Sequence, residues 1–341
     1  MSLSLIERVE ACCALTRGEA EALMEEILSG RMATPEIVRL LIALNRRSLE
    51  AQELSGFARV MRRHATPVFL DGAARPTHMV DTCGTGGDGS KTFNISTAAA
   101  IVAAAAGARV AKHGNRAASS QSGSADVLEA LGVRIDLPFE RYGQAIRQIG
   151  IGFLFAQAAH KATRHATPAR KQIGVRTVFN LLGPLTNPAG AQAQVLGVFT
   201  LDVMDLVAAT LAELGTEHAF VVHGAGGLDE ISLAGQTIVA EVRDGTVRKF
   251  SVTPEEFGVE PAPLEAIRGG TAAENAVLIR RMLEGEAGPA RDIVLINAAA
   301  ALVAAGVSEN FLDATDKARS VIDSGAASRT LENLKAFTKV A

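Results

Sequence analysis

Tryptophan is absent from this chain, and its three cysteines, Cys12, Cys13 and Cys83, form no disulfide framework. Adjacent Cys12 and Cys13 read as helix-packing residues, and a reducing, cytoplasmic setting is expected. Long apolar runs are missing as well. The alanine-rich stretch at residues 98–106 is too short to span a bilayer, and the first 15 residues carry Glu7 and Glu10 without the apolar core of a secretory leader. Neither a membrane partner nor a leader is therefore expected. Excess positive charge is also lacking: 34 Lys and Arg against 37 Asp and Glu leave a net charge of −3, which argues against a nucleic-acid partner held by bulk basicity. No repeat of about 20 to 50 residues and no low-complexity linker interrupts the text. What is present is 341 residues, 48% of them hydrophobic, enough for about two domains and a large core.

The most informative segment is Asp81, Thr82, Cys83, Gly84, Thr85, Gly86, Gly87, Asp88, Gly89, Ser90, Lys91, Thr92, Phe93, Asn94, Ile95, Ser96, Thr97. It follows a short apolar run and precedes the alanine-rich stretch, so it reads as strand, glycine loop and helix start. Glycines let the backbone approach an anion, orphan N–H groups at a helix start point toward it, and the hydroxyls add donors. Asp88 would repel phosphate by itself and so suggests a bridging divalent cation. Two familiar readings fail on what is missing. Gly84, Gly86 and Gly89 match the spacing of a dinucleotide fingerprint, yet no Asp or Glu occurs between Asp88 and Asp126 to hold a ribose. A nucleotide-triphosphate loop needs Lys directly after its last glycine, and Ser90 stands there before Lys91 and Thr92.

A second loop, from Lys112 and His113 through Gly114, Asn115 and Arg116 to Ser124, comes after a strand candidate at residues 108–111 and before an amphipathic helix carrying Val127, Leu128 and Leu131. Loops at the carboxyl ends of strands are where open α/β sheets bind ligands. Lys112 and Arg116 offer cationic donors for phosphate. Further along, Asp229 and Glu230 follow a strand candidate at residues 220–223 across a flexible glycine stretch, and adjacent carboxylates there suit a hard cation.

The chain divides by pattern. Residues 1–70 read as helices only: Thr16 and Glu19 make a capping box before Ala20, Leu23, Met24, Ile27 and Leu28, Gly30 stops that helix, and Thr34 with Pro35 opens the next. A third helix carries Leu54, Phe57, Ala58 and Met61. From residue 71 to 341 strands and helices alternate, with further strands at 79–82, 149–155 and 193–199, and Asp244 and Gly245 as a hairpin turn. The expected fold is α/β, a small all-helical domain plus a large α/β domain with a mostly parallel central sheet.

These motifs together resemble the anthranilate phosphoribosyltransferase family: residues 84–89, 94–97, 112–120, 122–131, 176–189 and 227–232, a match covering nearly the whole chain. The resemblance implies transfer of the phosphoribosyl group of phosphoribosyl pyrophosphate to the amine of anthranilate in tryptophan biosynthesis, with magnesium (Mg2+) as cofactor, a homodimer, and return of residues 167–187 to the helical domain. It implies a phosphoribosyl pyrophosphate site of Gly84, Gly87, Asp88, Thr92, Asn94, Ile95, Ser96, Thr97, Lys112, His113, Gly114, Asn115, Arg116, Ala117, Ala118, Ser119, Ser120 and Ser124. Magnesium would be held by Asp88, Ser96, Asp229 and Glu230. The anthranilate site would use Gly84, Asn115, His160 and Arg170, the planar fork of Arg170 meeting the carboxylate. The chain departs from the family pattern at Gln157, Lys161 and Thr163, which stand where proline, proline and methionine are usual. No catalytic acid or base is expected, because the aromatic amine carries a free lone pair at neutral pH. A pyrimidine nucleoside phosphorylase, which would not need the Asp229 and Glu230 cation site, is the enzymatic alternative. A nucleic-acid-binding paralogue, which would have lost the loop residues and gained basic patches, is the other.

Overall fold

The computed structural model describes residues 2–70, 74–117 and 121–339. Thr16 caps the helix Arg17–Leu28: its hydroxyl accepts from the Glu19 N–H while the Glu19 carboxylate accepts from the Thr16 N–H, the reciprocal box its sequence signals. Gly30, at φ +74°, turns the chain out of that helix. Helices Thr34–Asn45 and Ala51–Arg63 follow, and Ser2–Glu10 precedes. Their inward residues, among them Leu23, Ile27, Leu40, Leu44 and Phe57, share one core with Phe179, Leu182 and Leu185 of the later segment and with Val207 and Leu211 of the helix Met204–Glu213. The apolar faces of the bundle are thus mostly covered within the chain, and Leu3 and Ile42 stay 50% and 38% exposed.

Cys12 and Cys13 correct the sequence reading. Both are exposed in the turn after Ser2–Glu10, with Cys12 at φ +61°. The helix ends before them, so they fall beyond its buried stripe of Leu5, Ile6 and Val9.

The larger part is built on seven strands: β1 Met79–Gly84, β2 Arg109–Gly114, β3 Ile151–Phe155, β4 Ala193–Gly197, β5 His218–His223, β6 Thr237–Arg243 and β7 Thr246–Val252. They form one sheet in the order β3-β2-β1-β4-β5-β6-β7, parallel from β3 to β5 and antiparallel through β6 and β7. Asp244 and Gly245, at φ +49° and +78°, make the tight turn between β6 and β7. β3 starts later than residue 149 because the helix Phe139–Ile149 runs up to Gly150, whose φ of +85° terminates it. The alanine-rich helix Ile95–Ala105 is buried almost all round and packs against Pro289–Ala304. Small side chains suit that close approach.

From β1 the chain goes to β2 and β3 on one side, then crosses back to β4 on the other. Beyond the carboxyl ends of β1 and β4, loops leave the sheet in opposite directions, and a crevice opens there by topology alone.

Candidate active site

A cavity of about 250 Å³ opens at this edge of the sheet, over the carboxyl ends of β1 and β2 and beneath the loop that follows β5. Gly84, Gly87, Asp88, Thr92, Asn94, Ile95, Ser96, Thr97, Lys112, His113, Gly114, Asn115, Ser124, Asp229 and Glu230 all line it. Three loops, the first and last of them 143 residues apart at the Gly86–Asp229 contact, therefore meet in one place.

The crevice is wedged open from below. The β1–β2 ladder pairs Met79 with Arg109 and Val80 with Val110. Past that point side chains take the backbone groups that face across the gap. The His113 N–H donates to Asp81 Oδ1 at 3.0 Å, the Ala111 carbonyl accepts from Asn187 Nδ2 at 2.8 Å, and the Thr82 carbonyl accepts from Lys112 Nζ. Asn187 Nδ2 also donates to Asp81 Oδ2 at 2.8 Å. These three backbone groups keep partners while the strands part. Asp81 is fully buried, and its carboxyl is raised by that burial against the pull of Lys112, Asn187 and the His113 amide. Sequence reading assigned no role to Asp81 or Asn187.

The acidic loop is seated by glycines. A side-chain carbon on Gly197 would lie 1.6 Å from the Asp229 carbonyl, and one on Gly84 would lie 2.4 Å from Asp229 Oδ2. With both bare, Asp229 Oδ2 reaches the Gly86 N–H at 2.8 Å, and Glu230 Oε1 accepts from the Ser96 N–H at 3.1 Å in the first turn of Ile95–Ala105. Burial, then repulsion from Asp88, pushes Asp229 up to about 7. Burial, then Asp229, lifts Glu230 well above the usual carboxylate range, with Lys112 opposing. Asp88 Oδ2 is itself buried without a hydrogen-bond partner. Among the described residues no three acidic, His or Cys groups already converge at ligand spacing. Three crowded carboxylates against one ammonium nevertheless form an oxygen-rich, electron-rich wall that suits a hard divalent cation bound partly through substrate phosphates.

Other expected residues lie elsewhere. The Arg116 guanidinium is outside the cavity, held by Asp126 at 2.9 Å and by Glu129 at 2.5 and 3.0 Å, a correction to its reading as a free phosphate donor. Its carboxylate partners sit 10 and 13 residues on, in the helix Ser124–Leu131 that folds back beside it. The Ala117 N–H donates to Asp126 Oδ2 at 2.9 Å. Ala118, Ser119 and Ser120 lie outside the described residues. His160 is buried, with its ring edge-on to His113 at 5.3 Å between centroids, so the acceptor segment touches the second loop through the two imidazoles. Arg170, in the helix Thr167–Ile173, is half-buried with its guanidinium 5.2 Å from the centre of the Phe179 ring, and burial lowers its pKa. Among the described residues it has no carboxylate partner. Of the family departures, Gln157 and Lys161 are exposed, and Thr163 Oγ1 donates to the His160 carbonyl at 2.7 Å.

The imidazole pair sets an acid limit. Burial lowers His160 from 6.5 to about 4 and His113 well below its usual value. A histidine depressed in the folded state contributes stability that is present above its unfolded value of 6.5 and is lost as pH falls toward the folded value. His160 alone accounts for roughly 2 kcal/mol of loss between about pH 7 and 5. The raised carboxylates act in the opposite direction, so the difference between variants is the informative quantity. His160→Gln is expected to lose melting temperature less steeply than the parent over that window; parallel curves would refute the account.

Residues 76–328 match the α/β domain of a glycosyl transferase family, and residues 3–65 match the helical bundle domain of the same family. A protein of Symbiobacterium thermophilum named anthranilate phosphoribosyltransferase is 50% identical over 98% of this chain and 97% of its own length. The crystal structure of anthranilate phosphoribosyltransferase from Thermus thermophilus superposes with a TM-score of 0.92 at 46% identity, over 98% of this chain and 99% of that one. The Saccharomyces cerevisiae enzyme of the same name, in complex with PRPP and Mg, does so with a TM-score of 0.89 at 29% identity, over 100% and 98%.

Proposed function

The chain belongs to the anthranilate phosphoribosyltransferase family, and we propose that its crevice holds phosphoribosyl pyrophosphate with magnesium on the glycine-loop side and anthranilate toward Arg170. The reaction transfers the phosphoribosyl group to the amine of anthranilate, giving N-(5'-phosphoribosyl)anthranilate and pyrophosphate in tryptophan biosynthesis. The observation that carries this reading is the meeting of loop amides, the buried Lys112 and the crowded Asp88, Asp229 and Glu230 around one cavity.

Asp88, Ser96, Asp229 and Glu230 would hold the cation, which would supply charge neutralisation for the departing pyrophosphate. Lys112, fixed between the Thr82 carbonyl and Ser96 Oγ at 3.4 Å, keeps a cation beside the developing anion without moving. The sugar carbon loses its bond to pyrophosphate oxygen and gains one to nitrogen, and the amine proton leaves to solvent. No side chain is assigned as acid or base. Arg170 grips the anthranilate carboxylate in a partly dry setting, and placement of the amine against the sugar carbon supplies the rest of the rate. Anthranilate fluorescence should fall only when phosphoribosyl pyrophosphate and magnesium are both present; consumption with inorganic phosphate and a nucleoside, independent of magnesium, would favour a nucleoside phosphorylase instead.

We place the enzyme in the cytoplasm, in keeping with its three free cysteines, and take it as two domains, residues 1–70 with 167–187 and the remainder. A homodimer through the helical bundle accounts for Leu3 and Ile42, two of the large apolar side chains, with Leu70 and Val175, that the helical part leaves exposed. Light scattering should give twice the chain mass at micromolar concentration, and Ile42→Glu should halve it. A fully active monomer would overturn the dimer.

A further inference from the structure

We propose that Arg176 is a positioning residue that orients the pyrophosphate-binding amides of the glycine loop from behind, and so ties the readiness of that loop to the acceptor side of the molecule. The inference rests on the reading of residues 84–90 as the pyrophosphate cradle. Arg176 lies just past the helix that carries Arg170, outside the cavity, and its guanidinium donates to the Gly86 carbonyl at 3.3 Å and to the Gly87 carbonyl. In a trans peptide the carbonyl and the following N–H point in opposite directions. Holding both carbonyls toward Arg176 therefore turns the N–H groups of Gly87 and Asp88 away from it, toward the cavity that these residues line. The Gly86 N–H is already fixed by Asp229, so the loop is pinned on both sides.

The anchor is itself built. The guanidinium lies 3.9 Å from the centre of the Phe199 ring, the Phe199 N–H donates to Thr85 Oγ1 at 3.1 Å, and the Arg176 carbonyl accepts from Asn45 Nδ2 of the helical bundle at 2.7 Å. Gly87 is bare where this contact needs it: a side-chain carbon there would stand 1.8 Å from the guanidinium. Segment, platform and loop fit one another, and the fit spans both parts of the chain.

The test uses the full chain and compares Arg176→Ala, Arg176→Lys, Phe199→Leu and the Arg176→Ala Phe199→Leu double variant. Arg176→Ala should raise the KM for phosphoribosyl pyrophosphate roughly tenfold or more, leaving the anthranilate KM within about twofold. Arg176→Lys, which keeps a cationic donor but loses the planar contact with the Phe199 ring, should fall between. Phe199→Leu should shift the same constant less and add nothing in the Arg176→Ala background, because it acts only through the guanidinium. Where turnover is too low to fit, calorimetric binding of inorganic pyrophosphate with magnesium replaces the KM. Hydrogen exchange over residues 84–90 of the substrate-free protein should quicken in Arg176→Ala. A rise in phosphoribosyl pyrophosphate KM with unaltered exchange would make Arg176 a direct phosphate ligand and overturn the positioning role, as would an effect confined to anthranilate. An inactive parent enzyme would instead indict the functional reading on which this one stands.

Discussion

Asp229→Asn with Glu230→Gln should lose most of the turnover, at least on the order of a hundredfold, and should need more magnesium to reach its own maximum. The pair contributes two of the three crowded carboxylates around the cavity, and the amides keep shape and hydrogen-bonding reach while removing the charge that a dication answers. A second readout separates metal loss from misfolding. A carboxyl raised in the folded state contributes stability present below its unfolded value near 3.8, lost as pH rises through the folded value, about 7 for Asp229. Metal-free parent enzyme at pH 8 therefore carries a strained pair that the double variant lacks. The variant should melt higher without magnesium, and magnesium should raise the melting temperature of the parent alone. Equal magnesium dependence in both proteins would sink the assignment.

Arg170→Ala should weaken anthranilate selectively, raising its KM or lowering kcat/KM by roughly 10 to 150 fold, the worth of one charge-assisted contact of about 1.5 to 3 kcal/mol. The guanidinium is half-buried beside Phe179 with its charge unanswered among the described residues, which is how a carboxylate receptor rests before its ligand arrives. Apparent affinity for phosphoribosyl pyrophosphate should barely change. Lys161, the extra cation at a family departure, is exposed, so Lys161→Ala should be mild. An Arg170→Ala enzyme whose anthranilate KM moves less than about twofold would transfer the carboxylate role elsewhere.

Signals that are local in sequence were legible. The Thr16 box, the glycine loop before an alanine-rich helix, the hairpin at Asp244 and the acidic pair after β5 each depend on neighbours a few residues away. What stayed hidden depends on partners far along the chain. Asp81 finds Asn187 across 106 residues, and Arg176 finds Gly87 across 89. No periodicity announces that a ladder will open after two pairs and let side chains take over. Arg116 misled for the converse reason: its position in a cationic loop was readable, but the return of Asp126 and Glu129 to its side is a matter of how the loop folds. Cys12 and Cys13 were misplaced because one turn of helix more or less decides whether a side chain meets the core.

The bare positions at Gly84 and Gly197 give a test of descent that needs no structure. Acidic residues drift in and out of surface loops, so their presence in a distant relative says little about whether the loop still sits on the sheet. The strand ends are a stricter witness, because a single methyl group at position 197 would meet the Asp229 backbone at 1.6 Å, and backbone cannot swing aside as a side chain can. A homologue that keeps the acids but has gained any side chain at that strand end has already unseated them, and should be sorted with the proteins that bind without turning over. One that has swapped the acids but kept both glycines retains an empty seat, and is the better starting point for restoring activity by substitution.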